Sequence, residues 1–428
     1  MERTTVRGSV LELLLRCEAA GQYTNIALDT ALKRAHPQGA DRGLFTALFY
    51  AVTEHRITLD HIIDSLSTLP PSKIEQRVRM ALRLGLCQLL YFDRIPDHAA
   101  INESVALVPA RSRGFVNALL RNFCRTGKVI PLPDKGEEPI RYLSLSYSVC
   151  EGLAEAFCRI WGTDGAEKQL IAFSHVPDVT VRVNTARLSR EAWLSRFGGT
   201  PTAHAPCGVR FTDGEALHTA ITQGLCFVQD EASQICVEAL DAKGQDVLDL
   251  CAAPGSKSFG AALNGARSVH SFDLHENKLS LIRRGAELLG ITNLTAAAQD
   301  AKTASPKTTG VFSRVLCDVP CSGFGVLAKK PDIRYKDITE AAGLPAVQRD
   351  ILNAAAACVA PGGVLLYSTC TVLPAENEEQ ITAFLATHPD FSLAPFTVGG
   401  LRCDGMLTLT PATHGTDGFF IAKLKKEA

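Results

Sequence analysis

Two segments, Leu316–Leu327 (LCDVPCSGFGVL) and Val364–Ile381 (VLLYSTCTVLPAENEEQI), each place a cysteine, Cys321 and Cys370, in a turn rich in Pro, Gly, Ser and Thr. Each turn follows a strand-like apolar run, Val315–Asp318 and Val364–Tyr367, so both thiols are expected at the edge of a nucleotide-binding sheet. A pair of thiols there suits one narrow chemistry, methyl transfer to carbon 5 of a cytosine. That carbon is too weakly nucleophilic to attack a methyl sulfonium until a thiolate has added at C6 and turned the ring into an enamine. Afterwards the C5 proton and the thiolate must both leave, and a second polar group beside the first can assist.

Asp318, three residues before Cys321, can hydrogen-bond N3 and the 4-amino group of cytosine and stabilise the protonated ring as the thiolate adds. Lys257 can lower the pKa of a nearby thiol. The remaining twelve of the 14 cysteines read as small buried hydrophobes. With no C-x-x-C pair or Cys/His cluster at ligand spacing, no zinc or other metal is expected.

A cofactor must be held next to these thiols. Asp246–Leu250 (DVLDL) reads as a short strand, and Cys251, Ala252, Ala253, Pro254, Gly255, Ser256 and Lys257 turn from its carboxyl end into a helix beginning near Lys257. Ligands of open α/β sheets sit at such strand ends, and Gly255 permits close backbone approach. The strand Ser268–Phe272 ends at Asp273, about 20 residues after the glycine turn, where a carboxylate can accept both ribose hydroxyls. Leu294–Gln299 leads to Asp300, suited to the exocyclic amine of adenine, and Asp318 closes the site. There is neither a G-x-G-x-x-G nor a Walker loop, which leaves a nucleoside without pyrophosphate: S-adenosylmethionine.

The elements that position these groups belong to a long chain. Its 428 residues, 46% hydrophobic and 21% charged, suffice for two or three domains. No signal peptide opens the chain and no apolar run reaches the roughly 20 residues of a membrane helix, so a soluble protein in a reduced cytoplasm is expected. A monomer is the expected state. A net charge of -1 argues against indiscriminate polyanion binding. Met1–Ile130 nevertheless holds 17 Lys and Arg against 12 Asp and Glu, so RNA contact is expected to be local and N-terminal. That part reads as about five helices. Ser9 with Glu12 forms a capping box for the first, which Gly21 stops, and Leu44–Leu66, Ile74–Phe92 and Ala99–Phe123 follow, separated by Pro70, Pro71 and Pro96. Lys128–Glu138 reads as a linker.

From Arg141 to Ala239 short helices mix with strands, among them Val179–Val183, Val209–Phe211 and Leu225–Val228. Arg182 is either an ordinary exposed strand arginine or a phosphate contact to RNA.

Two resemblances attach to these residues. Ile95–Val108 (IPDHAAINESVALV) with Gly114–Phe123 (GFVNALLRNF) resembles the end of a NusB-type RNA-binding domain, although Asn102, Glu103, Asn117 and Arg121 also suit helix caps and solvated faces. CAAPGSK, Asp273, Asp300, DVPCSG, YSTCT and Asp417–Leu424 (DGFFIAKL), in this order, resemble the RNA 5-methylcytosine methyltransferases; Pro177–Thr185 and Cys226–Ile235 resemble the piece that precedes their catalytic domain. With the NusB-like start, nearly the whole chain is similar to the bacterial 16S ribosomal RNA cytosine-5 methyltransferases of the RsmB (Sun) type. The resemblance implies that Cys370 is the nucleophile, that Cys321 assists release, and that Cys251–Lys257, Asp273, Asp300 and Asp318 hold the cofactor. Ser256 stands where the family commonly has a second glycine, Asn277 where an arginine is common, and Phe324 where a small polar residue is usual.

The expected architecture is an all-α NusB-like RNA-binding bundle (1–130), a small α/β substrate-binding module (141–239) and a Rossmann-like α/β methyltransferase domain (240–428), acting on structured small-subunit ribosomal RNA. Two other readings remain: a tRNA cytosine-5 methyltransferase, which would keep the catalytic set, and a non-catalytic RNA-binding or ribosome-assembly protein, which would need neither cysteine.

Overall fold

The computed structural model describes residues 5–20, 24–35, 39–176, 178–303 and 308–428. They form two compact units, Met1–Ser174 with Leu327–Ile338, and His175–Val326 with Thr339–Ala428.

The first unit is helical: α1 (Val6–Ala20), α2 (Thr24–Ala35), α3 (Gly39–Glu54), α4 (Arg56–Leu66), α5 (Gln76–Tyr91), α6 (Asp97–Ala106), α7 (Ala110–Arg125), α8 (Pro139–Tyr147) and α9 (Glu151–Phe173). Leu82, Leu84, Leu86 and Cys87 of α5 are fully buried in its core, against partners that include Leu11, Leu48, Ile62 and Leu120. Within Met1–Ile130 the described residues form seven α-helices where about five were expected, because two long apolar runs break. Leu44–Leu66 divides at His55, whose ring stacks on Tyr91 at 3.8 Å. The first N–H groups of α4 are then satisfied from far along the chain, Arg56 N–H by Tyr335 Oη (3.2 Å) and Ile57 N–H by Ser148 Oγ (3.0 Å). Ala99–Phe123 divides before Pro109, which disfavours helix at the residue preceding it.

The first helix starts at Val6, ahead of the expected Ser9–Glu12 box. Thr5 Oγ1 accepts from Gly8 N–H at 3.1 Å, so Thr5 is its cap and Ser9 lies inside. Gly21, its expected stop, lies outside the described residues, as does Pro177.

The second unit holds two main sheets. The smaller is antiparallel, built from β1 (Val179–Val183), β2 (Thr200–Pro201), β3 (Gly208–Phe211) and β4 (Cys226–Val228) in the order β2-β3-β1-β4, with α10 (Arg190–Phe197) and α11 (Gly214–Thr222) beside it. Trp193 fills its core. The mixed region expected from Arg141 is therefore helical up to Phe173 and sheet-bearing only after it. Arg182 on β1 fits neither reading of it. Its side chain is buried, paired to Glu238 Oε1 at 2.8 Å and hydrogen-bonded to Asn264 Oδ1 at 2.6 Å, so it is a structural cross-link rather than a surface group or phosphate contact.

After α12 (Glu231–Ala239) come β5 (Asp246–Asp249), α13 (Ser256–Leu263), β6 (Ser268–Asp273), α14 (Glu276–Leu289), β7 (Leu294–Ala298), β8 (Phe312–Asp318), α15 (Leu344–Cys358), β9 (Val359–Thr369) and α16 (Glu378–Thr387). The chain closes with β10 (Phe391–Leu393), β11 (Phe396–Val398), β12 (Leu401–Cys403), β13 (Met406–Leu409) and β14 (Phe419–Lys426). The large sheet runs β10-β14-β9-β8-β5-β6-β7, parallel from β9 through β7 and antiparallel at β14. Its central strands are buried, as parallel strands covered by helices must be: Val247, Leu248, Leu316, Leu365, Leu366 and Ile421 have no exposure.

The chain leaves β5 toward β6 and β7 and returns on the opposite side as β8. The loops after β5 and β8 therefore diverge at a topological switch point, where open sheets hold their ligands. No described helix is long and apolar enough to cross a membrane.

Candidate active site

β8 and β9 are parallel neighbours with Asp318 opposite Ser368, so the turns that leave them emerge side by side. The Cys321 and Cys370 sulfurs are thereby brought to 3.2 Å, and the Cys370 backbone N–H points at the Cys321 sulfur from 3.3 Å. Both residues are partly accessible. The hydrogen bond with Cys370, and then burial, push the Cys321 thiol well above its ordinary range, which keeps it protonated. Gly325, in the Cys321 loop, donates its N–H to the Cys370 carbonyl at 2.9 Å, and its carbonyl accepts from Gly418 N–H at 2.7 Å. A side chain at Gly325 would collide with the Gly418 carbonyl, so the DVPCSGFG and DGFF motifs meet backbone to backbone.

Asp318 joins this pair to the Cys251–Lys257 turn. Its Oδ1 accepts from Ser368 Oγ at 2.8 Å and its Oδ2 is 2.6 Å from Lys257 Nζ. Each oxygen keeps a second lone pair for a ligand. Burial works against the Lys257 charge, but the neighbouring Asp318 carboxylate favours it, and the net shift is upward. The ammonium also lies 5.1 Å from the Phe419 ring centroid.

The turn from Cys251 to Lys257 is pinned to β6: Ala252 N–H donates to the Phe272 carbonyl (2.8 Å) and Ala253 N–H to Asp273 Oδ2 (3.2 Å). Gly255 has φ +114°, and a Cβ there would strike the Phe259 ring, so glycine is required on two counts. Ser256, at the first position of α13, accepts from Gln229 through its carbonyl. Asp273 Oδ1 accepts from His275 N–H (3.0 Å), and Asp300, two residues past the strand neighbour of Asp273, accepts from Lys302 N–H (3.0 Å). Burial first, and then the carboxylates of Asp249, Asp318, Asp273 and Asp300, push the Cys251 thiol far up, which places this turn at the meeting point of four acids.

Comparison with known proteins decides what the arrangement belongs to. Residues 237–425 match the family described as 16S rRNA methyltransferase RsmB/F, and residues 4–125 the NusB family. A Bacillus subtilis protein named probable ribosomal RNA small subunit methyltransferase B is 36% identical, with the whole of both chains covered. A Synechocystis protein of the same name is 35% identical over 94% of this chain and 95% of its own. A solved structure titled PH0851 is 25% identical and superposes with TM-score 0.78, covering 99% of each chain.

The chain belongs to the RsmB/F methyltransferase family.

As an RsmB/F methyltransferase the protein is an S-adenosylmethionine-dependent RNA-modifying enzyme, with a helical NusB domain ahead of the catalytic sheet. The acids at successive strand ends suit the hydroxyls and amines of that cofactor, and Oδ1 of fully buried Asp249, beneath the turn, has no partner. Of the three departures from the family pattern, Phe324 is fully buried and Asn277 is exposed on the first turn of α14, while Ser256 lies within the cofactor turn.

Sequence reasoning missed the supports of the site. Asp249 lies within the quoted strand, but its depth was invisible. Ser258 donates to it at 2.6 Å and is itself held by Ser271 at 2.8 Å. Glu376 and Asn377 lie inside the Val364–Ile381 segment, but nothing in the sequence singled them out. The signal available was Pro374 two residues earlier, which fixes a tight turn directly after Cys370.

Proposed function

We propose that this methyltransferase modifies carbon 5 of a cytosine in small-subunit ribosomal RNA through a covalent adduct with Cys370. The 3.2 Å approach of the Cys321 and Cys370 sulfurs at the ends of adjacent strands carries the reading, because two accessible thiols at a methyl-transfer site suit formation and dismantling of a C6 adduct.

S-adenosylmethionine, held by Cys251–Lys257, Asp273, Asp300 and Asp318, supplies the methyl group on a sulfonium. Cys370 as thiolate forms the C6–S bond, sending the ring's electrons toward C5. Asp318, paired with Lys257 and hydrogen-bonded by Ser368, accepts from the 4-amino group and orients the base. Cys321, a neutral thiol 3.2 Å from the Cys370 sulfur, assists the second half of the cycle by donating a hydrogen bond to that sulfur as it leaves with the C6–S electron pair, while the C5 proton passes to solvent water and its electrons restore the C5–C6 double bond. The helical N-terminal domain contributes affinity for ribosomal RNA. The identity of the relatives as small-subunit methyltransferases favours ribosomal over transfer RNA.

The test is bisulfite sequencing of total RNA from cells lacking the protein. The expected result is loss of one 5-methylcytosine in 16S RNA, restored by the intact gene. Loss of a transfer RNA site instead would overturn the choice of substrate.

A further inference from the structure

The turn after Cys370 carries two adjacent buried polar side chains with different sets of partners. Glu376 Oε2 accepts from Ser322 N–H at 2.9 Å, one residue past Cys321, and from Gln348 Nε2 at 2.8 Å. The same Gln348 nitrogen donates to the Pro320 carbonyl at 3.0 Å, one residue before Cys321. Asn377 brackets the other cysteine: its Oδ1 accepts from Thr369 Oγ1 at 2.6 Å and its Nδ2 donates to the Thr371 carbonyl at 3.0 Å. Ser322 Oγ and Thr371 Oγ1, each one residue past its cysteine, lie 2.8 Å apart.

We propose that Glu376 and Asn377 are positioning residues that set the two thiols against each other, Glu376 with Gln348 holding the Cys321 loop and Asn377 holding the Cys370 turn. The proposal rests on the roles given above to Cys370 and Cys321.

Packing alone does not call for this chemistry. Glu376 is 1% exposed, forms no ion pair among the described residues, and its Oε1 has no partner. Gln348 Oε1 is likewise buried and unpartnered. Apolar side chains of similar volume would fill the same space without stranding buried acceptors. What the polar groups add is direction, since a hydrogen bond fixes a loop's backbone where an apolar contact leaves it free to slide. The Glu376 backbone is itself fixed, its carbonyl accepting from the buried Tyr367 Oη at 2.7 Å. A shared turn thus ties both sulfurs to one rigid reference. Because the thiols act in different halves of the cycle, loss of each support has its own signature: without Glu376 the adduct forms but is released slowly, and without Asn377 it forms slowly.

The full-length enzyme carrying Glu376→Ala, Glu376→Gln, Gln348→Met, Asn377→Ala or Cys321→Ala is incubated with 16S ribosomal RNA and S-adenosylmethionine. Protein–RNA adduct on denaturing gels, turnover, and binding of S-adenosylhomocysteine are measured. Glu376→Ala is expected to lose about tenfold or more in kcat while accumulating adduct as Cys321→Ala does, with cofactor affinity within about twofold of wild type. Glu376→Gln keeps an oxygen able to accept both hydrogen bonds and is expected to restore turnover without accumulation. Gln348→Met is expected to show a milder accumulation, which preserves the test if Glu376→Ala does not fold. Asn377→Ala is expected to slow adduct formation with none accumulating. Trapping by Cys321→Ala but by neither Glu376→Ala nor Gln348→Met would overturn the proposal while leaving the cysteine roles intact. No trapping even by Cys321→Ala would overturn those roles, and the proposal with them.

Discussion

Lys257 Nζ lies 2.6 Å from Asp318 Oδ2, so the turn after β5 is tied by an ion pair to the end of the strand that leads to Cys321. Residues that are distant in the sequence form one ion pair, which joins the Cys251–Lys257 turn to the strand that leads to Cys321. The two side chains are 10% and 29% exposed, so removing one partner strands a largely dehydrated charge. Lys257→Met and Asp318→Ala are each expected to cost about 2–4 kcal/mol of stability, discounted for the water that reaches Asp318. The double variant should lose less than the sum. Additive losses in chemical denaturation would show the pair to be uncoupled.

Asp273 Oδ2 accepts from Ala253 N–H and its Oδ1 from His275 N–H, with Lys278 Nζ 3.8 Å from Oδ1, so its carboxylate fixes the Cys251–Lys257 turn; under the proposed function it also accepts the ribose hydroxyls. Asp273→Ala is expected to weaken S-adenosylhomocysteine by about 1–3 kcal/mol, roughly 5- to 150-fold. Calorimetry gives this directly, and an unchanged Kd would remove Asp273 from the site.

Burial pushes the Asp249 carboxyl up to about 7, against the hydrogen bond from Ser258. Unfolded, the same group loses its proton near pH 4. Between about pH 4 and pH 7 the folded state therefore binds the extra proton, so this residue's contribution to stability declines as pH rises across that window and levels off above it. Asp249→Asn removes the titration. Relative to wild type, the variant is expected to gain on the order of 2 kcal/mol between pH 5 and pH 8. Thermal midpoints measured in parallel at both values check it, and a stability difference independent of pH would contradict it.

Helix α7 presents Arg113, Arg121 and Arg125 to solvent. If the helical domain supplies RNA affinity through phosphates, Arg121→Ala with Arg125→Ala should lower the slope of log K against log salt by about 1–2, with kcat unchanged. An unaltered slope would locate the RNA contacts elsewhere.

Legibility differed by level. The parallel strands β5 to β9, the Cys251–Lys257 turn and the two cysteine turns were readable because each combines an apolar run with a local Gly or Pro signal, and such signals act within a few residues; the antiparallel strands β10, β13 and β14 were not read. Helix boundaries in the N-terminal unit were not. The break at His55 depends on Tyr91, Ser148 and Tyr335, none a sequence neighbour. Arg182 could not be read at all, because a strand arginine looks the same whether it meets water or, as here, Glu238 and Asn264. Glu376 was hidden for a similar reason: a Glu in a run of acids reads as solvated, and only the tertiary fold places Ser322 N–H above it.

The most direct test of the account is substitution of the two cysteines, read as covalent protein–RNA complex on denaturing gels. Cys370→Ala cannot form the C6–S bond and is expected to abolish both methylation and adduct while binding S-adenosylhomocysteine as wild type does. Cys321→Ala is expected to add to C6, permit methyl transfer and stall as an adduct, which disappears in the double variant. An adduct trapped by Cys370→Ala instead would reverse the two roles, and none with either would return both sulfurs, 3.2 Å apart, to inert thiols.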